Sequence, residues 1–132
     1  MLEVIYKLKA DTETIKRVQD ASLDKSSNSG LKIENNLLFG SADWFAAIEK
    51  GEIKKHSIQG VISKVYISGH NDWPEFEIEN IEGKSQWTRE GIESAYIVGH
   101  KIELVYVEQK FKCPIAVLGP ISKCVFQISI EV

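Results

Sequence analysis

A chain of 132 residues has the usual length of one domain, so residues 1–132 are predicted to form a single domain. Apolar residues make up 43% of the chain and charged residues 27%, a composition that excludes disordered and fibrous proteins. Sixteen basic and nineteen acidic side chains give a net charge of −3, which argues against a nucleic-acid partner because such proteins usually carry a basic excess.

The N-terminus is predicted to remain part of the folded protein. Its first residues alternate apolar with charged side chains and contain no apolar run as long as that of a secretory signal. Nowhere does the sequence hold about 18 consecutive apolar residues, the length that a membrane-spanning helix needs. We therefore expect a cytoplasmic protein with no membrane partner, in which Cys113 and Cys124 stay reduced.

Residues 1–53 are predicted to form a mixed extension with the order strand, helix, strand, helix. Apolar and charged side chains alternate in the first strand, and Asp11 and Ser41 are side chains typical of helix caps. The predicted segments are a strand over 2–8, a helix over 12–20, a strand over 31–39 and a helix over 42–50.

Residues 54–132 carry a two-residue apolar period, which predicts strands. The strands are predicted over 56–68, around Phe76 and Ile78, around Trp87, over 101–111 and from Cys124 onward, with a last loop at 113–122. This order resembles a five-stranded OB-type barrel over about 55–132. The predicted fold class is therefore α+β, with a small antiparallel β-barrel behind the N-terminal extension.

Two details of these strands are also predicted. Gly60 lies where the apolar phase of the first long strand changes, which indicates a bulge or sharp coil. Glu82 and Gly83 are predicted to be the turn of a tight hairpin, which would place Ile78 opposite Trp87.

One predicted strand would display a row of carboxylates. Glu75, Glu77 and Glu79 alternate with two apolar residues and therefore share one face. Neighbouring carboxylates on such a face stand about 7 Å apart and repel by only about 0.6 kcal/mol in water. The row is thus either an ordinary solvated surface or an acidic patch for a basic partner or a cation.

The loop before this strand combines an aromatic side chain with polar ones: His70, Asn71, Asp72, Trp73 and Pro74. A tryptophan presented by a loop is a common anchor of protein interfaces. The alternative is that Asn71 and Asp72 form the turn while Trp73 folds back to cap the core.

The sequence contains no reaction motif. It has no Gly-x-Ser-x-Gly elbow and no glycine-rich phosphate loop after a strand. His70 and Asp72 are only two candidate ligands, whereas a structural zinc site needs four. We expect no metal, no cofactor and no catalysis.

The leading hypothesis is a non-catalytic intracellular module that binds or inhibits a protein partner, and a basic partner would suit the acidic face. The partner-binding residues would be His70, Asn71, Asp72, Trp73, Glu75, Glu77 and Glu79. In composition the chain resembles the small acidic immunity proteins of bacteria, which neutralise basic toxins.

Two alternatives remain open. An OB-type protein could bind single-stranded nucleic acid through Trp73, Arg89, Lys110 and Lys112. A small enzyme or ligand carrier could use a pocket between the extension and the barrel, lined by Trp44, Tyr66, Trp87 and Tyr96.

Overall fold

The computed structural model describes residues 1–69, 72–115 and 119–132, with side chains for all of these except residues 114 and 115. Its regular elements are β1 (Leu2–Lys7), α1 (Thr12–Leu23), α2 (Ala42–Glu49), β2 (Lys55–Ile67), β3 (Pro74–Asn80), β4 (Gly83–Thr88), β5 (Lys101–Ile115) and β6 (Gly119–Glu131). Short 3-10 turns lie at Leu8–Ala10 and Glu93–Ala95. Among the described residues, no helix has the length and apolar character required to cross a bilayer.

The six strands form one antiparallel sheet in the order β1-β6-β5-β2-β3-β4. The sheet is not closed, so the predicted OB-like barrel over residues 55–132 is wrong. β1, which was predicted to belong to the N-terminal extension, pairs with β6 and adds a sixth strand at one end of the sheet. β4 forms the other end, and the two ends do not pair with each other.

Both helices begin where the sequence predicts, because each has a side chain that accepts a free backbone N–H of the first turn. Asp11 Oδ1 accepts from Thr14 N at 3.1 Å, and Ser41 Oγ accepts from Trp44 N at 3.1 Å. The strand predicted over 31–39 is wrong. Asn35 and Asn36 have φ of 54° and 60°, a left-handed conformation that turns the chain instead of extending it.

The chain divides into two compact units. Unit 1 comprises residues 1–7, 57–105 and 127–132, and Ile62, Phe76 and Leu104 are fully buried in its core. Unit 2 comprises residues 8–56 and 106–126. Its core contains Trp44, which is fully buried and packs its ring 4.7 Å from that of Phe39.

The β3–β4 hairpin is confirmed, but its register differs from the prediction. Phe76, not Ile78, lies opposite Trp87, and the turn residues are 81 and 82. Asn80 causes the difference, because its Oδ1 accepts from Glu82 N at 2.9 Å and so starts the turn earlier. The displacement is two residues, which leaves every side chain on its predicted face.

The later strands are longer than predicted. Of the predicted last loop, residues 113–115 belong to β5 and residues 119–122 to β6, whereas residues 116–118 lie outside the described residues. The irregularity expected at Gly60 lies slightly later, where the β2–β3 register shifts between Ile62 and Lys64.

Candidate functional site

β3 carries the three carboxylates on one face of unit 1, as the alternation predicts. Phe76 and Ile78 are buried on the opposite face. Glu75, Glu77 and Glu79 lie beside Thr88, Gln86 and Lys84 of β4, respectively. We call the surface formed by Trp73, Glu75, Glu77, Glu79, Gln86 and Thr88 the Trp73 face.

Glu77 is the most constrained carboxylate of this face. Its Oε1 accepts from Ser63 Oγ at 2.9 Å and its Oε2 from Gln86 Nε2 at 3.0 Å, so it links β2 to β4 across β3. Its side chain is only 15% exposed, and Lys84 Nζ lies 4.0 Å away. The hydrogen bond from Ser63, followed by that from Gln86, lowers the pKa of Glu77 below its ordinary value.

The other two glutamates differ from Glu77 and from each other. Glu75 is half-buried and hydrogen-bonds the hydroxyl of Tyr66. Burial, assisted by that bond, raises the pKa of Tyr66. Glu79 is exposed. The three carboxylates are therefore unequal, and Glu79 is the one most accessible to a partner.

Two lysines share this side of the sheet. Lys64 of β2 lies opposite Glu77, and its ammonium group stands 4.9 Å from the ring centre of Tyr66. Lys84 of β4 lies opposite Glu79. The surface is therefore a mixed one, with three carboxylates and two ammonium groups.

Trp73 precedes β3 and leaves half of its surface in solvent, at 49% exposure. Its Nε1 nevertheless donates to Thr88 Oγ1 at 2.9 Å, and its backbone oxygen accepts from Ser68 N at 2.8 Å. Asp72, just before it, has φ of 50° and turns the chain. The indole is therefore exposed but held in one place, which disfavours the alternative that it caps the core.

His70 and Asn71 lie outside the described residues. Their predicted contribution to partner binding stays a prediction from the sequence.

The basic residues of the nucleic-acid hypothesis are engaged within their own units. Arg89 donates from Nη2 to Tyr66 O at 3.1 Å. Lys112 donates from Nζ to two backbone oxygens at the end of α1, 2.7 and 2.9 Å away. Lys110 lies 3.8 Å from a carboxylate oxygen of Glu34. Because these side chains already contact oxygen atoms of this chain, they are not favoured as ligands of a phosphate backbone.

Of the four residues predicted to line a ligand pocket, Trp44 lines a groove in unit 2, and the other three pack within unit 1. Trp44 belongs to unit 2, where its Nε1 donates to Gln109 Oε1 at 2.9 Å. Tyr96 of unit 1 packs against Phe76 with ring centres 4.7 Å apart, and burial raises its pKa. Trp87 is buried and donates from Nε1 to Ser85 Oγ at 2.8 Å. Tyr66 stands beside Glu75, as described above.

The sequence predicted Gln86 and Thr88 of β4 on this face, but opposite the wrong glutamates. The predicted hairpin puts Gln86 opposite Glu79 and Thr88 opposite Glu77, whereas in the structure they lie opposite Glu77 and Glu75. Their alternation with Trp87 was the available signal, but the hairpin register was needed to place them beside Glu77 and Trp73.

Unit 2 does contain a groove of about 260 Å³ between residues of the predicted extension and residues of the later strands, lined in part by Leu37, Trp44, Ile53, Glu108 and Ile121. The sequence predicted a pocket between these two parts of the chain and Trp44 as one of its lining residues, whereas Tyr66, Trp87 and Tyr96 do not line this groove.

Within the described parts of the chain, no three His, Cys, Asp or Glu side chains group closely enough to hold a metal ion. Cys113 and Cys124 are both free thiols.

Comparison with known proteins identifies the class to which the chain belongs. A family model of immunity proteins matches residues 2–131, which is nearly the whole chain. Proteins of this class bind and inhibit a protein partner, a toxin. The chain belongs to the family described as Immunity protein RhsI2. A search of curated proteins finds no match. The family confirms the hypothesis of an immunity-like inhibitory module in its general form.

Proposed function

We propose that this chain neutralises its toxin by binding it with the Trp73 face. The observation that carries the proposal is the indole of Trp73, which is 49% exposed and yet fixed by a 2.9 Å hydrogen bond to Thr88. Tryptophan is enriched among the few residues that supply most of the energy of protein interfaces. An anchor that is already held in place loses little freedom when the partner binds.

Charge supports the same face. Glu75 and Glu79 lie on the strand that follows Trp73, and the whole chain carries a net charge of −3. A toxin surface with basic side chains would be attracted to this face and oriented by it, an effect that acts mainly on the association rate and on specificity. The proposed partner surface is therefore basic and includes a recess for an indole.

Glu77 has a supporting role in this proposal. Its carboxylate is largely covered and is already bonded to Ser63 and Gln86. Replacing it would disturb three strands at once, so a loss of binding in such a variant would not identify a contact. Trp73 and Glu79 are the residues to test first.

The test uses the product of the gene adjacent to that of this chain, once its toxicity has been established by expressing it alone. Coexpression with the wild-type chain should restore growth, and titration calorimetry gives the affinity. Trp73→Ala should weaken binding by about 2 kcal/mol or more, which is roughly 30-fold in Kd. Glu79→Lys should slow association most strongly at low salt.

The matched control is Glu52→Lys, which makes the same charge reversal at an exposed position of unit 2. It should leave both affinity and protection unchanged. If Trp73→Ala and Glu79→Lys bind and protect like the wild type, the toxin uses another surface and the proposal is wrong.

A further inference from the structure

The Trp73 face ends at an open edge of the sheet. β4 is the last strand in the order β1-β6-β5-β2-β3-β4, and β3 is its one neighbour among the described strands. Edge strands expose backbone donors and acceptors, which can pair with an added strand. β4 therefore has a second side whose backbone groups can accept a partner.

The register shows which groups lie on that side. Arg89 N donates to Pro74 O at 3.0 Å, which makes the 74/89 pair a hydrogen-bonded one. Antiparallel pairs alternate, so the residues of β4 bonded to β3 are Gly83, Ser85 and Trp87. The N–H and C=O groups of Lys84, Gln86 and Thr88 consequently point away from the sheet.

This edge has little of the usual protection against pairing. Natural edge strands are commonly blocked by proline, by a bulge or by charged side chains. β4 contains no proline, and its register with β3 runs unbroken from Gly83 to Thr88. Its one charged residue, Lys84, stands near the start of the strand, which leaves the stretch from Ser85 to Thr88 free of charge.

We propose that an extended segment of the toxin pairs with β4 and adds a seventh strand to the sheet. This inference rests on the proposed function and specifies how the toxin is held. Main-chain hydrogen bonds to Lys84, Gln86 and Thr88 would supply affinity, and alternate side chains of the segment would supply specificity.

Continuity with the Trp73 face identifies the toxin, and not a second copy of this chain, as the occupant. The residues whose backbone points outward are those whose side chains support the face. Thr88 Oγ1 accepts from Trp73, and Gln86 Nε2 donates to Glu77. An added strand would lie only about 4.8 Å beyond β4, so a partner seated on the indole reaches the edge directly.

The same geometry defines the chemistry of the segment. Its side chains on one face would lie beside the nearly buried ring of Trp87, which favours apolar residues there. On the other face, a long basic side chain opposite Thr88 reaches across β4 toward Glu75, whereas Lys84 repels one at the far end. The segment thus alternates apolar residues with polar ones, and its basic residue lies opposite Thr88.

A proline at position 86 tests the inference. The Gln86 N–H makes no bond to β3, so Gln86→Pro removes an outward donor and keeps the β3–β4 ladder. Gln86→Ala is the matched control, because it also loses the side-chain bond to Glu77 but retains the N–H. With the toxin established above, Gln86→Pro should weaken binding on the order of tenfold more than Gln86→Ala does, and equal affinities of the two variants would contradict the inference.

Hydrogen exchange on the wild-type chain gives a second measurement that does not depend on a folded proline variant. The amides of Lys84, Gln86 and Thr88 should exchange at least about tenfold more slowly in the toxin complex than in the free chain. If these amides exchange at equal rates in the free chain and the complex while Trp73→Ala weakens binding as expected above, the edge inference is wrong and the proposed function stands. If the toxin does not bind the wild-type chain, both are wrong.

Sedimentation of the free chain tests the competing occupant. The proposal expects a monomer with unprotected edge amides. A dimer that Gln86→Pro dissociates, with these amides protected in the absence of toxin, would assign the edge to a second copy and overturn the proposal.

Discussion

The Ser22 hydroxyl accepts a 2.9 Å hydrogen bond from the backbone N–H of Leu31, which joins the last turn of α1 to the chain nine residues later. The same hydroxyl donates its one proton to Val18 O at 2.6 Å. Ser22 is 7% exposed and Leu31 is equally buried. A buried polar group depends on such a partner, because water cannot replace it.

Replacing Ser22 by alanine should therefore destabilise the protein by about 1–3 kcal/mol, since the N–H of Leu31 would remain buried without an acceptor. Urea unfolding followed by circular dichroism measures the change. Ser94→Ala, at an exposed position, serves as the control and should stay within about 0.5 kcal/mol of the wild type. An unchanged midpoint for Ser22→Ala would show that water satisfies Leu31.

Gly60 is required by the close approach of β3. A Cβ at this position would lie 2.5 Å from Glu79 O and 2.9 Å from a methyl carbon of Ile78. Backbone cannot move aside as a flexible side chain does, so Gly60→Ala should destabilise the protein by about 1–3 kcal/mol.

The control for this prediction is Gly69→Ala, because a Cβ at Gly69 has no neighbour within 4 Å. Thermal denaturation should give a lower Tm for Gly60→Ala and little change for Gly69→Ala. Equal Tm values for the two variants would mean that β2 and β3 separate easily at this point.

Glu77 should make stability depend on pH. Its pKa is lowered in the folded protein, so its ionised form stabilises the fold above the ordinary pKa near 4.5, and this contribution is lost as the pH falls through the folded pKa. The stability difference between wild type and Glu77→Gln should be constant from about pH 7 to 5 and should shrink below that range.

Urea unfolding across this pH range measures the difference. Ser63→Ala, which removes the strongest cause of the shift, should reduce the same pH-dependent part. Parallel stability curves for the wild type and Glu77→Gln down to about pH 3 would contradict the prediction.

Cys124 should react slowly with alkylating reagents. Burial raises the pKa of its thiol to about 11, so about one molecule in a thousand carries the thiolate at pH 8. In the Cys113→Ala variant, iodoacetamide should modify Cys124 far more slowly in the folded protein than in urea, as measured by mass spectrometry. Similar rates in the two conditions would show that β6 opens readily at this position.

Local features of the fold were predictable from the sequence. The caps at Asp11 and Ser41, and the alternation that buries Phe76 and Ile78, depend only on neighbouring residues. The barrel prediction was wrong because closure depends on which distant strands pair, and β1 joins β6 across almost the whole chain. Asn35 and Asn36 contradicted the second extended segment because asparagine tolerates left-handed backbone.

The candidate site was predictable in its position but not in its chemistry. The period of two placed three glutamates on one face, whereas their inequality follows from Ser63 and Gln86 on the adjacent strands. The support of Trp73 by Thr88 depends on a register that was two residues away from the predicted one. Contacts between side chains of neighbouring strands cannot be predicted before that register is known.

The contrast between Glu77 and Glu79 also bears on how such an inhibitor can change over generations. A substitution at the exposed Glu79 changes the surface that the toxin would contact but leaves the hydrogen bonds between the strands intact. A substitution at Glu77 removes its hydrogen bonds to Ser63 of β2 and Gln86 of β4, and therefore lowers the stability of the fold. As the sequence of the toxin changes, position 79 is therefore expected to vary first. Glu77 and its two hydrogen-bond donors, Ser63 and Gln86, are expected to stay unchanged.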